Sequence, residues 1–287
     1  MSLTIGEISY TNILPMFYYI NREYLKFKGC TFIPKVPAGL NEGMKQGTID
    51  VGGISSFAFG EAAGQYTLMP GLSVSSYGNV GSIFLFSHKP LEKLEGMRIA
   101  LTSSSATSVH LWKVIAAEFY NMKNIKYTTM APDPEEMEKN YDAFLLIGDD
   151  AIRTFWKNNG RLYCYDLGGL WHDHTGLPMT YAVFAVRKEA VKKKGDVLKT
   201  LYKEFLYSKK IALTSHLKEM TAAIQQKHGG NQEFWINYFQ SLHYGFQEKE
   251  KESLLYYYRL MYKHGYFKKT VQDIDMWLAG NEVQYLF

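Results

Sequence analysis

The sequence predicts an α/β protein of two lobes: a clamshell in which each lobe is a mostly parallel sheet with flanking helices, followed by a helical C-terminal segment. Three observations predict it. Short β-rich runs alternate with helical stretches up to about residue 186, the pattern of βαβ units and hence of parallel sheets. The alternation comes as two successive units, and 287 residues amount to about two domains at roughly 150 residues each. After Lys188 the strands stop and helix follows helix. A chain that crosses between lobes twice accounts for this order, with lobe 1 formed by 1–84 plus 187–287 and lobe 2 by the inserted 85–186. Ligands in such folds sit in the cleft where strand ends and helix N-termini converge.

Thr4–Tyr10 reads as the first strand and Leu14–Tyr24 as a helix after a turn at Asn12. Cys30–Lys35 is the second strand; Pro37 opens a helix, Ala38–Gln46, and Gly47 stands where a C-terminal cap favours glycine. Asp50–Ile54 is the third strand, and Ser55-Ser56 begin a helix reaching about Ala63. In the second unit, Ile83–Ser87 and Met97–Leu101 are strands, and Ser103–Ser105 cap a helix Ala106–Asn121. Its Val109, Trp112, Ile115, Ala116 and Phe119 recur at helical spacing. Ala143–Ile147 is a buried strand leading through Asp149 and Asp150 into a helix ending at Trp156, and Leu162–Asp166 and Thr180–Val186 close the unit. The tail reads as helices Ala190–Lys227 (broken near Ser208), Gln232–Phe246, Lys249–His264 and Val271–Ala279, the last capped by Thr270 with Asp273 three residues on.

Composition excludes several classes. With 46% hydrophobic residues the chain can bury enough apolar surface to offset the entropy of ordering, so it is not a disordered tail. Apolar runs such as Phe144–Ile147 and Tyr181–Val186 fall far short of the roughly 20 residues that span a bilayer, so no membrane association is expected. Met1-Ser2-Leu3 leads directly into strand sequence with no export signal, and Cys30 and Cys164 read as separate reduced thiols, which together predict a cytoplasmic protein. From Arg187 onward 17 basic residues face 11 acidic ones. The runs Lys192–Lys194 and Lys209-Lys210 read as solvated helix faces, since no nucleic-acid motif accompanies them. A mild positive field of this kind favours an anionic small molecule.

The most informative device occurs twice: a strand running into a hydroxyl-rich helix start. One case is VGGISSF, with Gly52, Gly53, Ser55 and Ser56; the other is IALTSSSATSV, spanning Thr102 to Ser108. A helix N-terminus offers unpaired N–H groups and a partial positive charge, so it holds a carboxylate without any lysine. Capping alone explains a single serine, but five hydroxyls within Thr102–Thr107 exceed what a cap requires. His172 and His174 flank a loop and lack a third ligand at usable spacing, so they read as surface or pocket-rim residues and no metal is expected. Asp149 in IGDDAI suits a helix cap or a pocket acid, and Tyr256–Tyr258 suit core packing. No glycine-rich phosphate loop, nucleophile elbow or HExxH stands in the chain. Composition and spacing thus reach a cytosolic two-lobed protein that closes on a small anion.

Two sets of motifs go further: IGEISYTNILP, VPAGLNEGMKQGTIDVGGISS and GSIFLFSHKPLEKLEG, then IALTSSSATSVHL, AFLLIGDDAI and YDLGGLWHDHTGLPMTYAVFA. In this order, over about residues 5–188, the chain resembles the menaquinone-biosynthesis family, the chorismate dehydratases of the futalosine route. The resemblance implies a type 2 periplasmic-binding-protein-like fold put to enzymatic use, with no cofactor. The implied substrate is chorismate, a dicarboxylate, which would lose water to give 3-(1-carboxyvinyloxy)benzoate. By motif position Asn12 and Ser82 match the family's catalytic pair. Ser103, Ser105, Thr107 and Ser108 would grip a carboxylate, Ser55 and Ser56 would line the opposite lobe, and Asp149 and Thr175 are further pocket candidates. Ala106 stands where some members carry arginine, so hydroxyls and amides would hold the carboxylate instead. Two other readings share the fold. One is the later naphthoate-forming enzyme of the same pathway, acting on cyclic dehypoxanthine futalosine, for which His110 is the tempting histidine. The other is a non-catalytic binding protein for an aromatic or dicarboxylic anion.

Overall fold

The computed structural model describes residues 2–278. β1 (Leu3–Ile8) runs into a tight 3-10 turn, Thr11–Ile13, and α1 (Leu14–Phe17). The single helix expected over Leu14–Tyr24 is two helices. Asn21 accepts from the Tyr24 N–H at 3.0 Å and so starts α2 (Arg22–Phe27), while the Ser208 hydroxyl holds the end of α1, donating to the Pro15 carbonyl and accepting from the Tyr19 N–H. β2 (Cys30–Lys35), α3 (Pro37–Gln46), β3 (Val51–Ser55) and α4 (Ser56–Glu61) follow as expected. Gly47 closes α3 at φ +80°, a left-handed cap that suits glycine. β4 (Tyr66–Ser76) has no counterpart in the sequence reading, and its eleven residues contain Pro70-Gly71, which imitates a turn.

β5 (Ile83–Ser87), β6 (Arg98–Thr102) and α5 (Ala106–Val114) open the second sheet. The α-helical part of α5 stops well before Asn121, because Ile115–Phe119 widen into a π turn and Asn121 turns the chain at φ +53°. β7 (Lys126–Met130) and α6 (Pro134–Asn140) also lie outside the sequence reading. The first is an exposed edge strand with little apolar content and the second buries only Met137, so neither carries a hydrophobic period. β8 (Ala143–Ile147), α7 (Gly148–Lys157) and β9 (Tyr163–Asp166) match expectation. His172 and His174 lie on a helix, α8 (Leu167–Thr175), rather than beside a loop; Asp166 caps it, accepting from the Gly168 and Gly169 N–H groups. The free thiols Cys30 and Cys164 lie in different sheets.

β10 (Met179–Arg187), expected in the inserted lobe, pairs with β3 and β4 in the first sheet, so the chain returns before Met179 rather than at 187. Opposite the two steps from Val183 to Ala185, β4 covers the five from Ser73 to Leu68, and Pro70-Gly71 form the resulting bulge. The tail continues as α9 (Lys188–Leu213), kinked at Lys194, whose ammonium pairs with Asp50 at 2.7 Å, then α10 (Leu217–His228) and α11 (Gln232–Ser241). The break falls at 214–216, not at Ser208, which is buried within α9. β11 (Leu242–His243) adds a short strand where none was expected, and α12 (Glu248–Lys263) completes the set. Residues 271–277 are not helical: Leu68 of β4 donates to the Asp275 carbonyl and accepts from the Trp277 N–H, both at 2.8 Å, so this backbone is bonded to the sheet edge. The expected end of that helix, Ala279, lies outside the described residues.

The strand orders are β11-β4-β10-β3-β1-β2 and β7-β6-β8-β5-β9. Both sheets are mixed rather than mostly parallel. β1 is parallel to β2 and β3, and β6 to β7 and β8; β10 and β5 run antiparallel to their neighbours. The cause is the double crossing: β4 leads out of the first lobe and β10 leads back beside it, and two such strands must oppose each other. Among the described residues no helix is long and apolar enough to cross a membrane.

Candidate active site

Four chain segments meet between the lobes: the turn after β1, the loop before β5, the start of α7 and the α11–β11 corner. Asn12 sits in the turn. Its backbone carbonyl accepts from the Tyr244 hydroxyl at 2.9 Å, but its side-chain oxygen is buried with no donor among the described residues. Buried acceptors without a partner are rare and cost about 1–3 kcal/mol.

Ser82, 1% exposed, is held from three sides. Its carbonyl accepts from the Gly148 N–H at 2.7 Å, and its hydroxyl oxygen accepts from the Tyr238 hydroxyl at 2.9 Å. The preceding Val80 and Gly81 N–H groups donate to Asp166, which also receives the Gly168 and Gly169 N–H groups. Burial raises the Asp166 carboxyl pKa and these four donors pull it back. The glycines of DLGG are a matter of space: a Cβ at Gly168 would lie 2.5 Å from the Gly78 carbonyl, and one at Gly169 2.2 Å from Asn79.

The start of α7 binds the other lobe. Asp149 accepts from the Thr11 hydroxyl at 2.6 Å and lies 3.5 Å from His228 Nδ1 at the end of α10. Gly148 has φ +58°, and a Cβ there would meet the Tyr10 ring at 2.8 Å, so the turn after β1 packs directly on the helix start. Asn12, Ser82 and Asp149 therefore belong to one bonded cluster.

A second seam joins the N-termini of α4 and α5. The Phe57 N–H donates to the Thr107 hydroxyl oxygen at 3.0 Å, and the Phe57 ring stacks on His110 at 3.8 Å. Ser55 caps α4 by accepting from the Ala58 N–H, and Ser56 donates to the Thr180 carbonyl. Ser105 caps α5 by accepting from the Ser108 N–H and bonds the Ser108 hydroxyl. Ser103 is exposed, and Ala106 is half-buried at the first turn. Thr175 is not brought to this region. It ends α8, about 13 Å along the helix from Asp166 at 1.5 Å per residue, with its hydroxyl donating to the Trp171 carbonyl and accepting from the Leu177 N–H. His110 bonds the Ala106 carbonyl through Nδ1, and burial lowers its pKa to about 4, so the ring is neutral.

Asp166, His228, Tyr238 and Tyr244 were invisible as site residues in the sequence. Each lies far along the chain from its partners, and DLGG offered the one local signal, an aspartate before two glycines at a helix start.

Several hydrogen-bonding groups in this interface are left open among the described residues. Asn12 presents an acceptor without a donor, while Ser82, Thr107 and Ser108 each accept one bond and have no partner for their own proton. Hydroxyls of this kind can donate to an anion, and the amide oxygen can accept from a ligand donor.

Two α/β lobes joined by paired crossing strands, with helix N-termini converging between them, define the class of periplasmic-binding-protein-like folds. The alkanesulfonate-binding protein of Xanthomonas axonopodis pv. citri, solved with MOPS bound, shares this fold at TM-score 0.69 and 14% identity, over 94% of this chain and 95% of that one. Within the class, the chain belongs to the menaquinone-biosynthesis family, whose model matches residues 3–263. It is 30% identical over 205 residues to the chorismate dehydratase of Thermus thermophilus, covering 64% of this chain and 70% of the relative. It is 25% identical over 150 residues to the 1,4-dihydroxy-6-naphtoate synthase of the same organism, covering 52% and 53%.

Proposed function

We propose that this protein is a hydro-lyase that dehydrates chorismate to 3-(1-carboxyvinyloxy)benzoate. The observation that carries the reading is the set of open groups at Asn12, Ser82 and Thr107, buried where the lobes meet. Similarity to a chorismate dehydratase over a longer stretch than to the naphthoate synthase supports the choice.

In this reaction the ring proton on the ether-bearing carbon and the neighbouring hydroxyl leave, and an aromatic ring results. Aromatisation supplies the driving force, so the protein orients the substrate and stabilises the charge that develops on the departing oxygen. Thr107 and the start of α5 hold a carboxylate, where amide groups and the helix dipole favour negative charge. Ser82 donates to the departing hydroxyl, and Asn12 accepts from a donor on the substrate. The enolpyruvyl carboxylate of the substrate takes the ring proton and passes it to the departing hydroxide, which leaves as water.

Purified protein incubated with chorismate and, separately, with cyclic dehypoxanthine futalosine tests the reading by mass spectrometry of the products. Loss of water from chorismate is expected, with Ser82→Ala slowing it about a hundredfold, within the range of a lost transition-state donor. Turnover of the futalosine derivative alone would establish the naphthoate-forming reaction, and binding of chorismate without turnover would establish a binding protein.

A further inference from the structure

We infer that Tyr238 is a positioning residue for the dehydration proposed above: it fixes the direction in which the Ser82 hydroxyl donates. The inference rests on that reading of the site. Tyr238 is buried on α11, and its hydroxyl donates to Ser82 Oγ at 2.9 Å across 156 positions of sequence. An oxygen that already accepts a hydrogen bond turns its own proton elsewhere and donates more strongly, because chained hydrogen bonds polarise one another. The Ser82 proton has no protein partner among the described residues, which leaves it available to a ligand.

The surroundings keep Tyr238 in the donating form. Burial raises its phenol far above the ordinary range; the hydrogen bond with Ser82 pulls it back and the nearby carboxylates Asp149 and Asp166 push it up, so the ring does not ionise at physiological pH. Its position is equally constrained. The ring packs edge-on to Trp235 and Phe239, and a Cβ on Gly81, which has φ +71° and stands one residue before Ser82, would come to 3.5 Å from it. The loop carrying the serine and the helix carrying the tyrosine therefore form one fitted pair.

The chemical balance needs nothing further. The carbon–oxygen bond breaks with its electron pair on oxygen, and the carbon–hydrogen pair becomes the new ring double bond. The proton taken by the substrate carboxylate joins the departing hydroxide as water. Ser82 and Tyr238 finish with the protons they began with, having only stabilised the oxygen as it left.

The test is steady-state turnover of chorismate by wild type, Tyr238→Phe, Ser82→Ala and the double variant, with thermal melting of each. Tyr238→Phe is expected to lower kcat at least tenfold while KM changes less than twofold, and to have no further effect on kcat in the Ser82→Ala background. Replacing Tyr238 with 3-fluorotyrosine, a slightly larger and more acidic donor, is expected to keep kcat at or above the wild-type value even where Tyr238→Phe melts early. Wild-type kcat in a folded Tyr238→Phe variant, or equal effects of that change with and without Ser82, would overturn the inference and leave the proposed reaction standing. A wild-type protein inert toward chorismate would overturn both.

Discussion

A carbonyl oxygen buried without a donor lowers stability by about 1–3 kcal/mol, so the Asn12 side chain marks a point where the free protein is less stable than its fold allows. Sites that await a ligand show this trade between stability and function. Asn12→Ala removes the open acceptor, and thermal melting of the free variant is expected at or above the wild-type temperature while turnover of chorismate falls at least tenfold. A variant that melts earlier and turns over normally would make Asn12 a structural turn residue. At this scale the sequence was legible only in part. Ser55 and Ser105 as caps follow from local rules, and the structure shows both in that role. Asn12 and Ser82 stood out only through the family resemblance, because a turn asparagine and a strand-edge serine are ordinary alone. Lys209 shows the opposite failure. Read as part of a solvated face, it donates to the Gly71 carbonyl at 2.7 Å, and burial lowers its pKa to about 8.

At the scale of elements, the decisive feature is the meeting of α4 and α5 end to end. Two helix N-termini repel through their dipoles, and the Thr107 hydroxyl relieves this by accepting from the Phe57 N–H, its own proton having no partner among the described residues. Thr107→Val leaves that N–H without a partner and deletes the donor. Melting and kinetics should show a loss of about 1–3 kcal/mol in stability and a KM for chorismate raised about tenfold, equivalent to ~1.4 kcal/mol of binding. An unchanged KM would remove Thr107 from carboxylate recognition. The pairing of strand with hydroxyl-rich helix start was legible because it is local. β4 and β7 were not: a Pro-Gly bulge and an exposed edge each erase the period on which strand reading depends. The return strand β10 was found but placed in the wrong sheet, since pairing partners are set by long-range packing that residue pattern does not encode.

At the scale of the whole molecule, the lobes are joined through Asp149, which takes the Thr11 hydroxyl and faces His228 from the opposite lobe. Burial lowers the His228 pKa and the Lys227 and Arg153 charges lower it further, while Asp149 opposes them. The folded protein therefore binds His228's proton less readily than a freely exposed histidine does. Its stabilisation is present above the ordinary histidine range, near pH 6.5, and is lost as pH falls through the lowered value. Thermal melting across pH 5 to 8 should show this contribution to folding stability falling away on the acid side, and His228→Gln should flatten that dependence. A profile identical in the variant would assign the dependence to other groups.

The central claim, that the closed lobes hold chorismate by the open groups of Asn12, Ser82 and Thr107, is tested most directly by a crystal structure of the Ser82→Ala protein grown with chorismate. The predicted result is density for the intact substrate between the lobes, one carboxylate within hydrogen-bond distance of the Thr107 hydroxyl and a substrate donor on the Asn12 side-chain oxygen. Chorismate bound elsewhere, or an interface whose side chains leave no room for it, would contradict the account.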